Sequence, residues 1–402
     1  MVAPEENSVY QGSWRKALQP TGTAALAFVS ATMMAQNSST PPNPYLQLMT
    51  KAAAHAEAHG AKQRPALSPQ DATVLSGAVP VAELRRLGFR VIPWTTNEPE
   101  KIRAVIRTGV DGLISDRPDL LQRVLAEERA SSPERADQIR AFNVSGHRGG
   151  RGLRPENTLP AFEAGLDNLI DTIETDTGVT SDHVSLIWHD QFLNPQSCRK
   201  ADGSSYVMEN RVYIRDISMR DAQATFICDK LHFGSDQKND LTLSPVAVAF
   251  AEKEHLISPY VPTYVEQLFR FTSFYEEYYR SGAGKNTQHA KERADAAQRV
   301  HFNLETKILP ENLAERNTGT SGLKVPAEML QNHTVAPQVF VDTLCGSIRK
   351  YKMEARSDVQ SFDFRTLILV EEQYPDIATY YLTENPATLA TEFVPASLRS
   401  TQ

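Results

Sequence analysis

Cysteine is scarce in this sequence: with three in 402 residues, at most one disulfide can form, which excludes a disulfide-stapled scaffold. Cys198 and Cys228 lie in one loop-rich region, where pairing is open to them. Cys345 stands apart on a helical stretch and is expected to pair with neither. Long apolar runs are also missing. A membrane-spanning helix needs roughly 20 such residues, and the best run, Ala24 to Ala35, is short and holds Ser30 and Thr32. No membrane span is therefore expected. Trp14, Arg15 and Lys16 precede this run, and Gln36, Asn37 and Ser38 follow it. It reads either as a late-starting export signal or as an N-terminal extension that Pro41, Pro42 and Pro44 end. The expected location is periplasmic or secreted, with a cytoplasmic one as the alternative. Basic excess is absent as well: 42 Lys and Arg face 49 Asp and Glu, for a net charge of −7. Without a cationic stripe, nucleic acid is excluded as a partner.

Core-forming residues are present in ordinary measure. Hydrophobic content is 41% and charged content 23%, which excludes wholesale disorder. Apolar, β-branched runs alternate with amphipathic helical stretches, the pattern of a parallel α/β structure. Eight strands are expected. Six follow residue 141: Phe142–Ser145, Asp171–Asp176, Val184–His189, His301–Lys307, Val359–Asp363 and Ile377–Leu382. Two precede it, Arg90–Thr95 and Gly112–Asp116. Six parallel strands alone would leave two long open edges, so the early pair is expected to close a barrel. The fold class is thus α/β, a TIM-type (β/α)₈ barrel in circularly permuted order, with a small subdomain inserted after the third barrel strand.

The expected divisions follow from this count. Residues 1–65 form an N-terminal extension, 66–126 hold strands seven and eight, and 127–140 form a linker. Residues 141–190 hold strands one to three, 191–258 the insertion, and 259–395 strands four to six. Arg90–Thr95 should then pair with Ile377–Leu382, and Gly112–Asp116 with Phe142–Ser145. The insertion either shapes access to the barrel mouth or is a plain surface loop. The aromatic residues between Pro262 and Val300 read as core.

Glu174 and Asp176 alternate on one strand, so both carboxylates face the same side. Glu305 and Lys307 repeat that spacing on the next long strand. Three hard oxygen ligands without cysteine favour Mg²⁺ or Ca²⁺ over softer metals. His147 and Arg148 end one strand within Gly146-His147-Arg148-Gly149-Gly150, and His189 and Asp190 end another. Two histidines across a metal-bound phosphate supply one base and one acid, as phosphodiester hydrolysis requires. Arg148 and Lys307 suit non-bridging phosphate oxygens. Each element alone has an ordinary structural explanation; their convergence at strand ends does not.

The run GHRGGRGLRPENTLPAFEAGLDNLIDTIETDTGVTSDHVSLIWHD resembles the opening of glycerophosphodiester phosphodiesterases, with its HRG start, PENT turn, ExD pair and HD pair. NLETK, VQSFD, IPWTTN and GVDGLISDRPDLL resemble later motifs of that family, the last two standing before the first. The resemblance implies Glu174, Asp176 and Glu305 as metal ligands, His147 and His189 as acid and base, and Arg148 and Lys307 as phosphate contacts. Glu156, Asn157 and Asp190 would support them. Trp94 would wall the glycerol moiety or, equally, belong to the core. The implied activity is hydrolysis of a small glycerophosphodiester to glycerol 3-phosphate and an alcohol, with the oligomeric state left open. A phospholipase D-like or lysophospholipid-directed enzyme and a noncatalytic phosphate-ester receptor are the alternatives. The permuted order leaves two outcomes for the early strands: closure of the same barrel, or exchange between molecules.

Overall fold

A computed structural model describes residues 43–308, 332–386, 389 and 394–399. The apolar run Ala24 to Ala35, the signal or extension reading placed on it, and most of the tail beyond residue 386 lie outside the described residues. Among the described residues there are eleven strands: β1 Ala66–Pro69, β2 Gly112–Ser115, β3 Asn143–Gly146, β4 Thr172–Val179, β5 Ser185–Ile187, β6 Arg199–Lys200, β7 Phe226–Ile227, β8 Thr263–Tyr264, β9 His301–Thr306, β10 Ser357–Ser361 and β11 Ala378–Thr383. The helices that matter below are α1 Pro44–Ala58, α2 Pro118–Ser131, α3 Leu159–Asp167, α4 Pro245–Lys253, α5 Val265–Arg280, α6 Pro337–Lys350 and α7 Phe364–Gln373.

The parallel sheet runs β1-β11-β10-β9-β4-β3-β2. Residues 91–94 join its two ends. On one side Ile92 N–H donates to the Leu67 carbonyl and Trp94 N–H to the Pro69 carbonyl, at 2.9 and 3.0 Å; on the other, Ile114 N–H donates to the Pro93 carbonyl at 2.9 Å. Eight parallel segments thus form a closed ring within one chain, and no edge is left unpaired.

Side-chain alternation divides this ring into an outer and an inner core. Leu67, Val91, Leu113, Val144, Ile173, Phe302, Leu304, Val359 and Tyr381 pack outward beneath the helices. Their neighbours face the lumen, which is apolar on one side, with Ala66, Ile92, Ile114, Tyr380 and Trp94. The opposite side is polar, with buried Thr172, Glu174, Asn303, Glu305 and Gln360.

The structure corrects the strand list in two places. Val184–His189 is not a barrel strand: β4 runs on past the barrel to Val179 and hairpins back, so that β5 pairs antiparallel with β4 and with β8. A period-2 apolar run reads alike in a barrel strand and in a hairpin arm. The missing member is β1, four residues ending in Pro69 and too short for its pattern to register. Arg90–Thr95 therefore neighbours β1 rather than Ile377–Leu382, and it is β1 that pairs with β11, Ala66 opposite Tyr380. Gly112 lies opposite Asn143, as expected for that pair.

The domain divisions shift accordingly. Counting from β3, residues 66–126 hold strands six to eight, and the insertion follows the second barrel strand. The segment 1–65 is not all extension, since α1 buries Tyr45, Leu48, Met49 and Ala52 in the main core. The linker at 127–140 is largely helical, α2 continuing to Ser131 around the buried Glu128, which takes Arg103, Arg107 and Arg135.

The insertion has its own small core of Leu186, Trp188, Leu193, Tyr206, Ile214, Met219 and Phe226, closed by a Cys198–Cys228 disulfide. Cys345 is buried and unbonded on α6. Among the described residues, no helix is long and apolar enough to cross a membrane.

Candidate active site

Register brings the carboxylates together. Asp176 on β4 lies opposite Glu305 on β9, two residues beyond Glu174. One carboxylate oxygen from each of the three lies within 4.8 Å of the others, and all three side chains are buried. Lys307 Nζ sits 2.8 Å from Glu305 Oε1 and 3.4 Å from Asp176 Oδ1.

The turn after β3 delivers the next groups. Gly149 has φ +87°, and a Cβ there would lie 2.7 Å from the Ala161 carbonyl carbon, so only glycine lets the turn press against α3. This places Arg148 at φ 50°, left-handed for a side-chain-bearing residue. Its backbone N–H donates to Glu174 Oε2 at 3.0 Å, its Nη1 to Glu156 Oε2 at 2.6 Å, and its Nε lies 3.1 Å from Asp176 Oδ2. Asn157, also left-handed at φ 56°, donates to Asp176 Oδ2 at 3.0 Å and accepts from Thr175 at 2.6 Å. Glu156 and Asn157 thus support Arg148 and Asp176.

Both histidines are held through Nδ1. His147 Nδ1 lies 2.5 Å from Asp116 Oδ1, and His189 Nδ1 lies 2.9 Å from Asp190 Oδ1. An ionised carboxylate accepts only, so each ring carries its hydrogen on Nδ1 and keeps the Nε2 lone pair. Asp116 also takes Arg151 Nε at 2.6 Å, and Asp190 takes the Asn194 amide at 2.7 Å.

Burial lowers the His147 imidazole to about 4, with Arg151 and Arg148 adding to the shift and Asp116 opposing it. Burial likewise lowers His189, together with Arg148 and Lys307. Both rings are therefore neutral near pH 7. Burial alone would raise Asp116, yet His147 and Arg151 hold it well below the usual carboxylate range.

These groups surround a cavity of about 250 Å³ at the C-terminal mouth of the barrel. Its wall includes His147, Arg148, Glu174, His189, Glu305 and Lys307, faced by Trp94, Phe362 and Leu382. Trp94 is half-buried: its Nε1 donates to the Ser68 carbonyl at 3.0 Å and its ring meets Phe362 edge-on at 5.4 Å. It belongs both to the apolar side of the lumen and to the cavity wall.

The donor set fits a divalent cation. Histidines apart, Asp116, Glu156, Glu174, Asp176 and Glu305 face three permanent cations among the described residues, Arg148, Arg151 and Lys307, an excess of two acidic groups. Burial, then the neighbouring carboxylates, push Glu174 well up, and burial raises Glu305 to about 7. A hard cation would relieve both.

The model of the glycerophosphoryl diester phosphodiesterase family matches residues 16–120 and 147–401. The chain belongs to this family. The cavity is its candidate active site.

Solved structures that match the chain include a protein of Silicibacter pomeroyi, provisionally named a glycerophosphoryl diester phosphodiesterase, at 21% identity and TM-score 0.40, covering 65% of this chain and 68% of that one. An Oleispira antarctica phosphodiesterase, solved with the product sn-glycerol-3-phosphate, is 14% identical at TM-score 0.32, covering 60% of this chain and 65% of that one. A glycerophosphodiester phosphodiesterase of Parabacteroides distasonis is 12% identical at TM-score 0.31, covering 60% and 64%. No curated protein matches the chain.

Every site residue singled out in the sequence stands at this mouth or directly behind it. Asp116, Arg151, Gln360 and Phe362 were missed. Asp116 was legible as the end of the strand beside His147, a carboxylate at a C-terminal strand end. Gln360, whose amide donates to Glu174 Oε1 at 2.6 Å, was signalled only by polarity at a lumen-facing position.

Proposed function

We propose that this phosphodiesterase hydrolyses glycerophosphodiesters to glycerol 3-phosphate and an alcohol, with a divalent cation, Ca²⁺ or Mg²⁺, and two histidines. The observation that carries the reading is the placement of two Asp-oriented imidazoles and a three-carboxylate cluster on one small cavity. Glu174, Asp176 and Glu305 would hold the cation, which as a Lewis acid would polarise the phosphate. Arg148 and Lys307 offer their cations to the non-bridging oxygens.

Nε2 of one imidazole takes a proton from the attacking water, and the other ring, protonated at Nε2, gives its proton to the leaving alcohol oxygen. The bound phosphate's negative charge offsets Arg148 and Lys307, which makes a protonated ring affordable. Trp94 and Phe362 fit the carbon face of a glycerol moiety. At about 250 Å³ the cavity suits a compact polar diester.

The motif order supports a circular permutation relative to the family, because the strands before His147 are those that close the ring. The Cys198–Cys228 disulfide supports a periplasmic or secreted location.

The test is release of glycerol 3-phosphate from glycerophosphocholine. The reading expects release that a chelator abolishes and that Ca²⁺ or Mg²⁺ restores. Full activity after chelation and dialysis would overturn the metal role.

A further inference from the structure

Away from the barrel mouth, on the outer helix layer, α1 and α7 carry a second cluster. His55 and His59 stand four residues apart, on one face, with ring centroids 4.5 Å apart. One nitrogen from each ring and a Glu372 carboxylate oxygen lie within 4.8 Å of one another.

The hydrogen bonds around these rings decide which nitrogens are free. His55 Nδ1 lies 2.8 Å from Glu371 Oε2. Glu371 is buried and also accepts from Thr379 at 2.8 Å and from Tyr381 at 2.9 Å, so its carboxylate is fixed. His59 Nδ1 lies 2.9 Å from the His55 carbonyl. A carbonyl or ionised carboxylate oxygen only accepts, so with Glu371 ionised both rings carry hydrogen on Nδ1 and present a lone pair at Nε2. Nδ1 bonded to a carboxylate or a backbone carbonyl is the arrangement that orients imidazole toward a metal.

His55 Nε2, however, faces Glu372 Oε1 at 3.4 Å, a lone pair against a carboxylate. Something positive belongs between them. A second proton on His55 would serve that contact alone and leave the His59 lone pair without a role. A cation serves all three groups.

We propose that His55, His59 and Glu372 bind one divalent cation of the zinc class, with Glu371 and the His55 carbonyl as orienting groups and water in the fourth position. Two imidazoles and one carboxylate match the borderline metals rather than Ca²⁺ or Mg²⁺, whose ligands are oxygens. The ion ties the C-terminal end of α1 to the last turn of α7. This site is independent of the reaction at the barrel mouth.

The test is Co²⁺ titration of the full chain in excess Ca²⁺, which keeps the all-oxygen cluster at the mouth occupied. Visible d–d absorption reports imidazole-ligated Co²⁺. The expected result is one equivalent bound and displaced by Zn²⁺, with affinity at least ~10-fold weaker in His59→Gln and in Glu372→Gln. Both side chains are exposed, so each variant should melt like the parent in chelator. Absence of Co²⁺ absorption in the parent, meaning that a proton occupies the contact, would overturn the proposal. So would unchanged binding in His59→Gln.

Discussion

His147 shows how much of the proposed chemistry rests on single contacts. Its Nδ1 bond to Asp116 fixes the tautomer that leaves Nε2 free, and Asp116 is in turn fixed by Arg151 and by Asn97, whose amide donates at 2.8 Å. Asp116→Asn keeps the shape while removing the obligate acceptor, so the amide is able to drive His147 into the other tautomer. We expect kcat to fall roughly 10²–10⁴-fold, with KM little changed, measured by steady-state hydrolysis of glycerophosphocholine. A loss confined to KM would show that Asp116 acts in binding instead.

Glu174→Gln separates the metal role from folding. The new amide's oxygen accepts from Arg148 N–H, and its NH2, placed where Gln360 Nε2 now donates, is met once the Gln360 amide turns over to present Oε1, a buried oxygen without a hydrogen-bond partner among the described residues. Without added metal, removing one of three crowded carboxylates should hold stability level or raise it by about 1 kcal/mol. Activity should fall by about 10²-fold or more. Thermal melts with and without Ca²⁺ check this, since the parent should gain stability from the ion and the variant should gain little. The pairing of Glu174 with Asp176 was legible from strand alternation alone. Gln360 was not, because glutamine at a lumen position carries no motif of its own.

Among the elements, the barrel segments were read correctly down to the four-residue β2 and β3 and residues 91–94, save for one short strand missed and one hairpin arm mistaken for a barrel strand. β4, β9 and β11 combine enough alternating residues to register. β1, the strand missed, has four residues and ends in proline. β5 misled because it has a strand's alternation while pairing outside the barrel.

The insertion returns to the barrel through α4, whose Val246 and Ala247 N–H groups donate to Glu163 on α3 at 3.0 and 2.7 Å. Glu163 is fully enclosed, and burial, outweighing these two donors, pushes its carboxyl up to about 8 from an ordinary 4.5. The folded chain therefore keeps this proton in a range where the unfolded chain has released it. Its contribution to stability is complete below about pH 4.5 and declines as pH rises through 8, by at most about 1.4 kcal/mol per pH unit. Glu163→Gln removes the titration. Urea unfolding at pH 5 and pH 8.5 should show the variant gaining on the parent by a few kcal/mol over that range. A constant difference between the two would show that the helix N–H groups hold Glu163 ionised.

For the whole molecule, the decisive property is closure. The sequence made eight parallel strands and their joining within one ring legible, because an open six-stranded sheet would leave two apolar edges. It revealed seven of the eight, with β1 the one missed. The ring depends on both halves of the chain: β1, residues 91–94 and β2 come from the first part, while β3, β4, β9, β10 and β11 come from the second. The seams are continuous ladders, β2 on β3 and β1 on β11, and the first part also provides α1 against α7 and Asp116 for His147. Lys51 on α1 donates to the Arg399 carbonyl, and Lys62 N–H donates to the Pro375 carbonyl at 3.0 Å, so the C-terminal segment folds back along the start of the described chain. A chain divided between Ser132 and Pro133, at the end of α2, would therefore give two pieces with unpaired parallel edges and half a lumen each. We expect neither piece alone to show a cooperative thermal transition. Expressed together they should co-purify as a one-to-one complex, with hydrolytic activity restored, since the cut lies away from the barrel mouth, and Arg135 of one piece still meets the buried Glu128 of the other. Independent, cooperative melting of residues 133–402 would show that the later five strands form a complete core without the first three, and that closure is not what holds the barrel together.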